Sequence, residues 1–481
     1  MFIPLVFWIF IIILVLPVYV LVLTPLAVWR LCVNLIAYLT RPDIVASLDS
    51  RDLVFTGDDY YGRARKSVIS SIILNGPATL NTLKERFTKN VLDKPHFFKM
   101  RSRPYVFMGY WFWRHVEIQE EEQFAEVGGI LSEDELNEVL PSWVSEGFSP
   151  GTPLWNIKLI HLAGNRTAVV LKIHHIIGDG VSFMSLLEEF CDKGWSNLQT
   201  SPVRPFSFAH WAYAWYNFPW TALKAFRLAR IRKGFRPKVC ASAAIGGPAF
   251  TCYTNFPMEK LRAVRRAQKC IFPTVLAGVL SGAFYKFFQS TGKKSPASVR
   301  MIIPTPYPNR PDKGTCNHVG WLHSEMPLGD PLAMKKFEDG VRYSYISGLH
   351  GIMWQIFKPM YLLPAPSLSV YTDWGEKNLP PAVLTSIPGS ITPVYLLGQE
   401  VDHSYPTLSL GYTTGCNACM TTYNDGAYLS IRISKEIISS KEMLDVLVSK
   451  YMHEELELMY QNALNKENGN AVEHIQINVS N

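Results

Sequence analysis

Two histidines stand side by side at His174-His175 and are followed by Ile176-Ile177-Gly178-Asp179-Gly180. A neutral imidazole accepts a proton near pH 7 and returns it as a general acid. That property suits transfer of an acyl group from a thioester to a hydroxyl, where one base deprotonates the attacking alcohol and then protonates the departing thiolate. One residue does both when the two substrates meet it from opposite sides. His175 is the expected base; His174, its neighbour at the end of an extended strand, points the other way. Asp179 is expected to shape the loop through a buried charge pair, with Arg300 as a candidate partner. Gly178 and Gly180 permit tight turning and close backbone approach.

Other chemistries fit less well. An arbitrary pair of histidines in a polar loop is more often idle than reactive. Adjacent histidines rarely reach one metal ion together from a strand, and His-Glu-x-x-His is absent, so no metal is expected. No Gly-x-Ser-x-Gly nucleophile elbow is present. Cys416-x-x-Cys419 has no second pair, and eight cysteines in 481 residues are too sparse for a disulfide framework. A reducing compartment is the simpler reading. With a net charge of only +7 and no long Lys/Arg block, nucleic acid is not an expected partner.

The histidines lie at a strand-to-loop exit, a rigid place from which to project a side chain. Trp155 to Leu162 and Thr167 to Ile173 read as strands joined by a turn centred on Gly164-Asn165, and a helix follows from Val181 to Phe190. Upstream, Ser67 to Leu74 reads as a buried strand. Leu80, Leu83, Phe87 and Val91 form one stripe of a helix. Ser132 and Glu135 make a capping-box pattern opening a second helix through Val139. In the second half, strands are expected near Val299 to Ile303, Val394 to Leu397, Leu408 to Tyr412 and Tyr428 to Ile433. The whole is an α/β chain, with 48% apolar and 18% charged residues, enough to bury a large core.

Its ends and middle are different. Residues 1–29 carry no charged side chain and are long enough to cross a bilayer as a helix kinked at Pro17, with Pro4 and Pro25 nearer the ends. No basic leader or small-x-small site marks a cleaved signal peptide. Arg30 and Arg41 follow the segment, so the body is expected on the cytosolic side. The sequons at Asn165 and Asn478 would then stay unused. His210 to Phe218 is aromatic, with Lys224, Arg227, Arg230, Arg232 and Lys233 after it. This reads either as a helix in the lipid headgroup zone or as a linker covering the joint between lobes. The expected organisation is an anchor over 1–40, a lobe over 41–200, a linker over 201–238, a second lobe over 239–465 and a polar tail over 466–481.

His174 to Gly180 resembles the His-His-x-x-x-Asp-Gly motif of the chloramphenicol-acetyltransferase-like acyltransferases, and most of all the wax ester synthase/diacylglycerol acyltransferase family. Further segments follow in that family's order: Pro153-Leu154-Trp155; the helix Phe272 to Phe288; Arg300 to Pro304; Asn317, with Met326-Pro327-Leu328 after it; and Ser386-Ile387-Pro388-Gly389. Pro273-Thr274 replaces the family's Asn-Asp pair, and Cys316 and Ser386 stand where it has Gly and Asn. Asp-Phe-Gly-Trp-Gly, the mark of the plant alcohol acyltransferases, is missing. The resemblance implies a two-lobed fold with a central tunnel and His175 at its waist, alongside His174, Asp179 and Gly180. Acyl-CoA would be co-substrate, no cofactor would be needed, and the acceptor would be a long-chain alcohol or diacylglycerol. Asn317 is the expected oxyanion donor or its support. Pro153, Leu154, Trp155, Ser386, Pro388 and Gly389 are further substrate-contact candidates, the first three more as scaffold and tunnel wall, and Arg300 is structural. The implied location is a single-pass site on the endoplasmic reticulum or a lipid droplet. A lipid-binding or tethering protein that kept the fold and lost turnover is the alternative.

Overall fold

The computed structural model describes residue 6 and residues 8–192, 206–230 and 249–479, apart from 309, 312, 331, 378, 379, 412 and 413. Two six-stranded mixed sheets form the body. In the first, the order is Tyr395–Leu396, Gln399–Leu408, Ser67–Leu74, Arg166–His174, Trp155–Leu162 and Phe124–Leu131. Only its last pair is parallel. In the second, the order is Val319–Pro327, Ser298–Pro306, Ala382–Ile387, Cys416–Tyr423, Gly426–Ser434 and Ala249–Pro257, with Ala382–Ile387 parallel to both neighbours.

Local signals in the chain explain the elements that carry the histidines. Arg166–His174 is buried along almost its whole length, and its apolar run forms the centre of the first sheet. Gly164 and Asn165 both take positive φ, 79° and 58°, as the tight turn between Trp155–Leu162 and Arg166–His174 requires. Ser132 accepts from the Glu135 N–H while the Glu135 carboxylate accepts from Ser132, so the expected capping box opens Glu133–Trp143. Helix Phe272–Ser290 is the central rod of the second lobe, with Phe284 and Phe287 in the core.

The division into lobes differs from the sequence expectation at one strand. Gln399–Leu408 lies within 239–465 yet pairs with Ser67–Leu74 in the first sheet. The expected strand from Leu408 to Tyr412 is therefore displaced towards the N-terminus, where alternate residues Val401, His403, Tyr405 and Thr407 turn inward. Pro406 is tolerated because the short neighbour Tyr395–Leu396 leaves that part of the strand an edge. Likewise the polar tail is not a separate segment: the helix His453–Val479 runs through it.

A third, small sheet of Ile44–Ser47, Tyr110–His115 and Ser102–Phe107 receives the N-terminal helix Leu16–Thr40. That helix has mean hydropathy 2.0 and is long enough to cross a membrane. Among the described residues it is the one single helix long and apolar enough for this; Met258–Gln268 with Phe272–Ser290 qualifies only as a pair bent by 101°. A π-turn at Ile11–Val15 precedes Pro17, and the helix continues past Pro25. Its last third is docked rather than free. Arg30 is 2% exposed, stacks over Tyr110 and Phe112 at 4.6 and 4.5 Å, and donates to the Trp111 carbonyl, while Val33 and Ala37 pack below it. Arg41 pairs with Asp43 at 2.8 Å. The two arginines that the sequence offers as topological signals are thus structural partners of the first lobe.

The aromatic segment forms the helix Phe208–Arg230. Trp8 meets it edge-on at Trp215 (5.5 Å) and also reaches Phe218 (6.2 Å). Phe208, Tyr213, Tyr216 and Trp220 remain exposed. Arg232 and Lys233 lie outside the described residues.

Candidate active site

His174 and His175 leave the end of the central strand in opposite directions, as strand geometry demands. His174 goes into the core. Its Nδ1 accepts from the Ile176 N–H at 3.1 Å, and its Nε2–H donates to Asp58 at 3.0 Å. Tyr60 and Phe148 pack edge-on against the ring. Burial lowers its pKa against the pull of Asp58. Burial also pushes Asp58 upward, but His174, Lys66 and the backbone outweigh it and hold that carboxyl low. His174 is completely buried with both nitrogens in use, so it corrects the expectation of a catalytic role: it fixes the strand end.

His175 faces the seam between the lobes and is half-buried. Phe55, from the turn Leu53–Phe55, stacks flat on its ring at 4.7 Å and 5°. Its Nδ1 lies 3.4 Å from Asn317 Oδ1. The Asn317 amino group donates to Asp52 at 3.0 Å, to the His175 carbonyl at 2.9 Å and to the Ile176 carbonyl at 3.3 Å. Three acceptors around one end of the amide identify it as the nitrogen, so the oxygen faces His175 and Nδ1 carries the hydrogen. Nε2 then holds the lone pair, and among the described residues it has no hydrogen-bond partner. Burial lowers the pKa of His175, with Asp179 and Asn317 opposing. The ring is therefore neutral near pH 7, with a basic nitrogen free. Asn317 thus holds the His175 ring through its oxygen, while its amino group is engaged with three acceptors.

Asp179 caps the helix Gly180–Phe190 by accepting from the Ser182 N–H at 3.0 Å. It also receives Arg310 in a two-pronged pair at 2.6 and 2.7 Å, and the His318 N–H at 2.6 Å. Its buried partner is thus Arg310 and not Arg300, whose strand position opposite Glu325 places it in the second sheet. Asp179 holds the segment carrying Asn317 instead of touching the reaction. Ser182 completes the joint: its hydroxyl donates to the Cys316 carbonyl and accepts from the Cys316 N–H, both at 2.8 Å, and from Arg310 at 2.6 Å. Gly180 is likewise positional. A Cβ there would lie 2.7 Å from Ile387 Cδ1, so glycine lets the two lobes close.

The other candidates divide between core and seam. The Leu154 carbonyl accepts from the His174 N–H at 2.9 Å, and Trp155 is buried with its indole N–H on the Met100 carbonyl. Pro153, Leu154 and Trp155 are buried scaffold, with no face free for a substrate. Ser386 is half-buried and Pro388 exposed at the end of Ala382–Ile387, beside Gly180. Gly389 approaches the Thr422 carbonyl so closely that an added Cβ would sit 1.9 Å from it, a packing role. Cys416 and Cys419 are buried and free, their thiols pushed up to about 12, and carry no redox chemistry. No group of metal ligands occurs among the described residues.

Residues 132–208 match the family model for the wax ester synthase/diacylglycerol acyltransferase catalytic domain, and residues 355–459 match that of the WS/DGAT C-terminal domain. The first match contains the histidine pair and its helix. The chain thus matches the wax ester synthase/diacylglycerol acyltransferase family in both a catalytic and a C-terminal segment. It is accordingly an acyltransferase. The "Probable diacyglycerol O-acyltransferase tgs1" of Mycobacterium tuberculosis is 23% identical over 352 residues, 65% of this chain and 73% of that protein. In fold the chain is similar to the wax ester synthase/diacylglycerol acyltransferase of Marinobacter aquaeolei VT8, with a TM-score of 0.59 and 17% identity over 87% of this chain and all of that one. It is also similar to the first condensation domain of the CDA synthetase, with a TM-score of 0.57 and 16% identity over 88% and 98% of the two chains. This is the expected chloramphenicol-acetyltransferase-like fold.

Sequence reasoning selected His175, Asp179 and Asn317 but missed Asp52, Phe55, Lys99 and Arg310. Arg310 left a faint trace, a cation between two prolines' worth of rigid loop just ahead of Asn317. Asp52 and Lys99 left none.

Proposed function

We propose that this acyltransferase moves a fatty acyl group from acyl-CoA to a lipid alcohol by direct attack, with His175 as general base. The acceptor is a long-chain alcohol, giving a wax ester, or diacylglycerol, giving triacylglycerol. Nε2 takes the hydroxyl proton as the new C–O bond forms at the thioester carbonyl. The C–S bond then breaks, and the same proton passes to the thiolate. No acyl-enzyme and no cofactor enter this scheme. The observation that supports it best is the neutral His175 ring, locked by Asn317 with Nε2 open at the seam between lobes. A positioned base of this kind contributes about 10²–10⁴-fold in rate.

Attachment to a membrane belongs to the same reading, because both acceptors and both products partition into lipid. The apolar helix supports it, and so does the contact of Trp8 with Trp215, which joins the apolar segment ahead of that helix to Phe208–Arg230 and its exposed aromatic residues. The catalytic body is then on the cytosolic side, where acyl-CoA is found, at the endoplasmic reticulum or a lipid droplet.

The test is a membrane preparation supplied with labelled acyl-CoA and, in turn, long-chain alcohols and diacylglycerol. Labelled ester from one of these acceptors is expected. Lipid binding without ester from any acceptor would contradict the proposal and leave the tethering alternative.

A further inference from the structure

We propose that Asp52, charge-paired with Lys99, is the positioning residue that sets the tautomer of His175 through Asn317. The inference rests on His175 being the base and extends the machinery by one buried layer. Asp52 is 1% exposed and Lys99 is 5% exposed. The Lys99 ammonium donates to Asp52 Oδ2 at 2.7 Å, so the other carboxylate oxygen, Oδ1, is the one presented to Asn317. Lys99 is itself held over the Trp113 ring at 5.1 Å, on the turn Pro95–Arg101.

An asparagine amide has no intrinsic preference for either orientation, and a half-turn exchanges its donor and acceptor ends. The orientation seen here lets its oxygen meet Nδ1–H. The reverse would push an N–H donor at that nitrogen, favour the Nε2–H form, and remove the lone pair needed for catalysis. The His175 and Ile176 carbonyls also select the orientation, but they are neutral. Hydrogen bonds to an ionised partner are about twice as strong. Asp52 therefore has the largest say. It acts on the ring a second way. Its carbonyl accepts from the Phe55 N–H at 2.9 Å, closing the turn that lays Phe55 on the imidazole.

Lys99 explains why a carboxylate persists at so buried a position. Burial raises the pKa of Asp52, and Lys99 and Asn317 oppose that rise. When Nε2 takes a proton, the positive charge stays on the ring and is stabilised by this carboxylate through the polarised Asn317 amide. The arrangement resembles a base and its orienting acid with an amide inserted between them.

The experiment uses full-length protein with ¹⁵N-labelled histidine in detergent micelles, His175 being assigned by its loss in His175→Gln. The wild type is expected to show a protonated Nδ1 and an unprotonated Nε2 at pH 7.5. Asp52→Asn is expected to shift His175 towards the Nε2–H form and to lower kcat by about 10²-fold or more, with the KM for acyl-CoA changed less than threefold. Because Asp52→Asn strands a buried ammonium, Asp52→Asn/Lys99→Met is measured beside it and is expected to give the same tautomer change in a better-folded protein. A wild-type Nε2–H ring, or an unchanged tautomer in both variants, would overturn the proposal even if activity fell. Full activity in His175→Gln would instead remove the role of His175 as base while leaving the tautomer result standing.

Discussion

Arg310→Met removes one half of the best-formed ion pair at the seam. Asp179 is 1% exposed on its side chain and Arg310 15%, so the guanidinium loss strands a carboxylate away from water. Removing one partner of a buried pair typically costs 3–5 kcal/mol. Asp179 keeps two backbone donors, Ser182 N–H and His318 N–H, and Arg310 is not fully enclosed, which points to the lower end, about 3 kcal/mol. The assay is urea unfolding of wild type, Arg310→Met, Asp179→Asn and the double variant. Asp179→Asn/Arg310→Met is expected to lose less than the sum of the two, with a coupling of at least about 1 kcal/mol. Activity falls alongside, by about 10²-fold, because the tethered segment places Asn317 and a shift near 1 Å is that costly. Costs that add within about 0.5 kcal/mol would refute the reasoning.

Acidification should destabilise the wild-type protein. His174 and His175 have pKa values lowered by burial, so the unfolded chain binds their protons first, below about pH 6.5; Tm should drop between pH 7.5 and 5.5, less steeply in His174→Gln, and a flat profile would contradict this. Deleting residues 1–29 leaves Arg30, Val33 and Ala37 docked, so the truncated protein should fold. Vesicle flotation should show it partly released, and serine at Phe208, Tyr213 and Trp220 should release the rest; full retention of both would contradict a lipid-facing role for these elements.

The sequence was most legible where the signal is local. The Ser132/Glu135 capping box, the Gly164-Asn165 turn and the histidine-bearing strand are each written in a few consecutive residues. Asp179 could be recognised as a structural carboxylate, but its partner lies 131 residues away, and nothing near Arg300 or Arg310 says which one folds back. Asn317 was visible as a motif residue while its direction was not, because an amide's orientation is decided by Asp52, 265 residues earlier. The strand Gln399–Leu408 escaped for a related reason. Its polar residues and Pro406 look unlike a strand until the partner Ser67–Leu74 and its open edge are known. Arg30 and Arg41 show the same limit, since their protein partners Tyr110, Phe112 and Asp43 could not be read from the local sequence.

The central claim is that one imidazole nitrogen handles the proton. Single-turnover transfer from labelled acyl-CoA to the preferred lipid alcohol, compared between wild type and His175→Ala, tests it most directly. A rate lower by about 10²–10⁴-fold, with acyl-CoA still bound, is the expected result. An unchanged rate in His175→Ala would contradict the account.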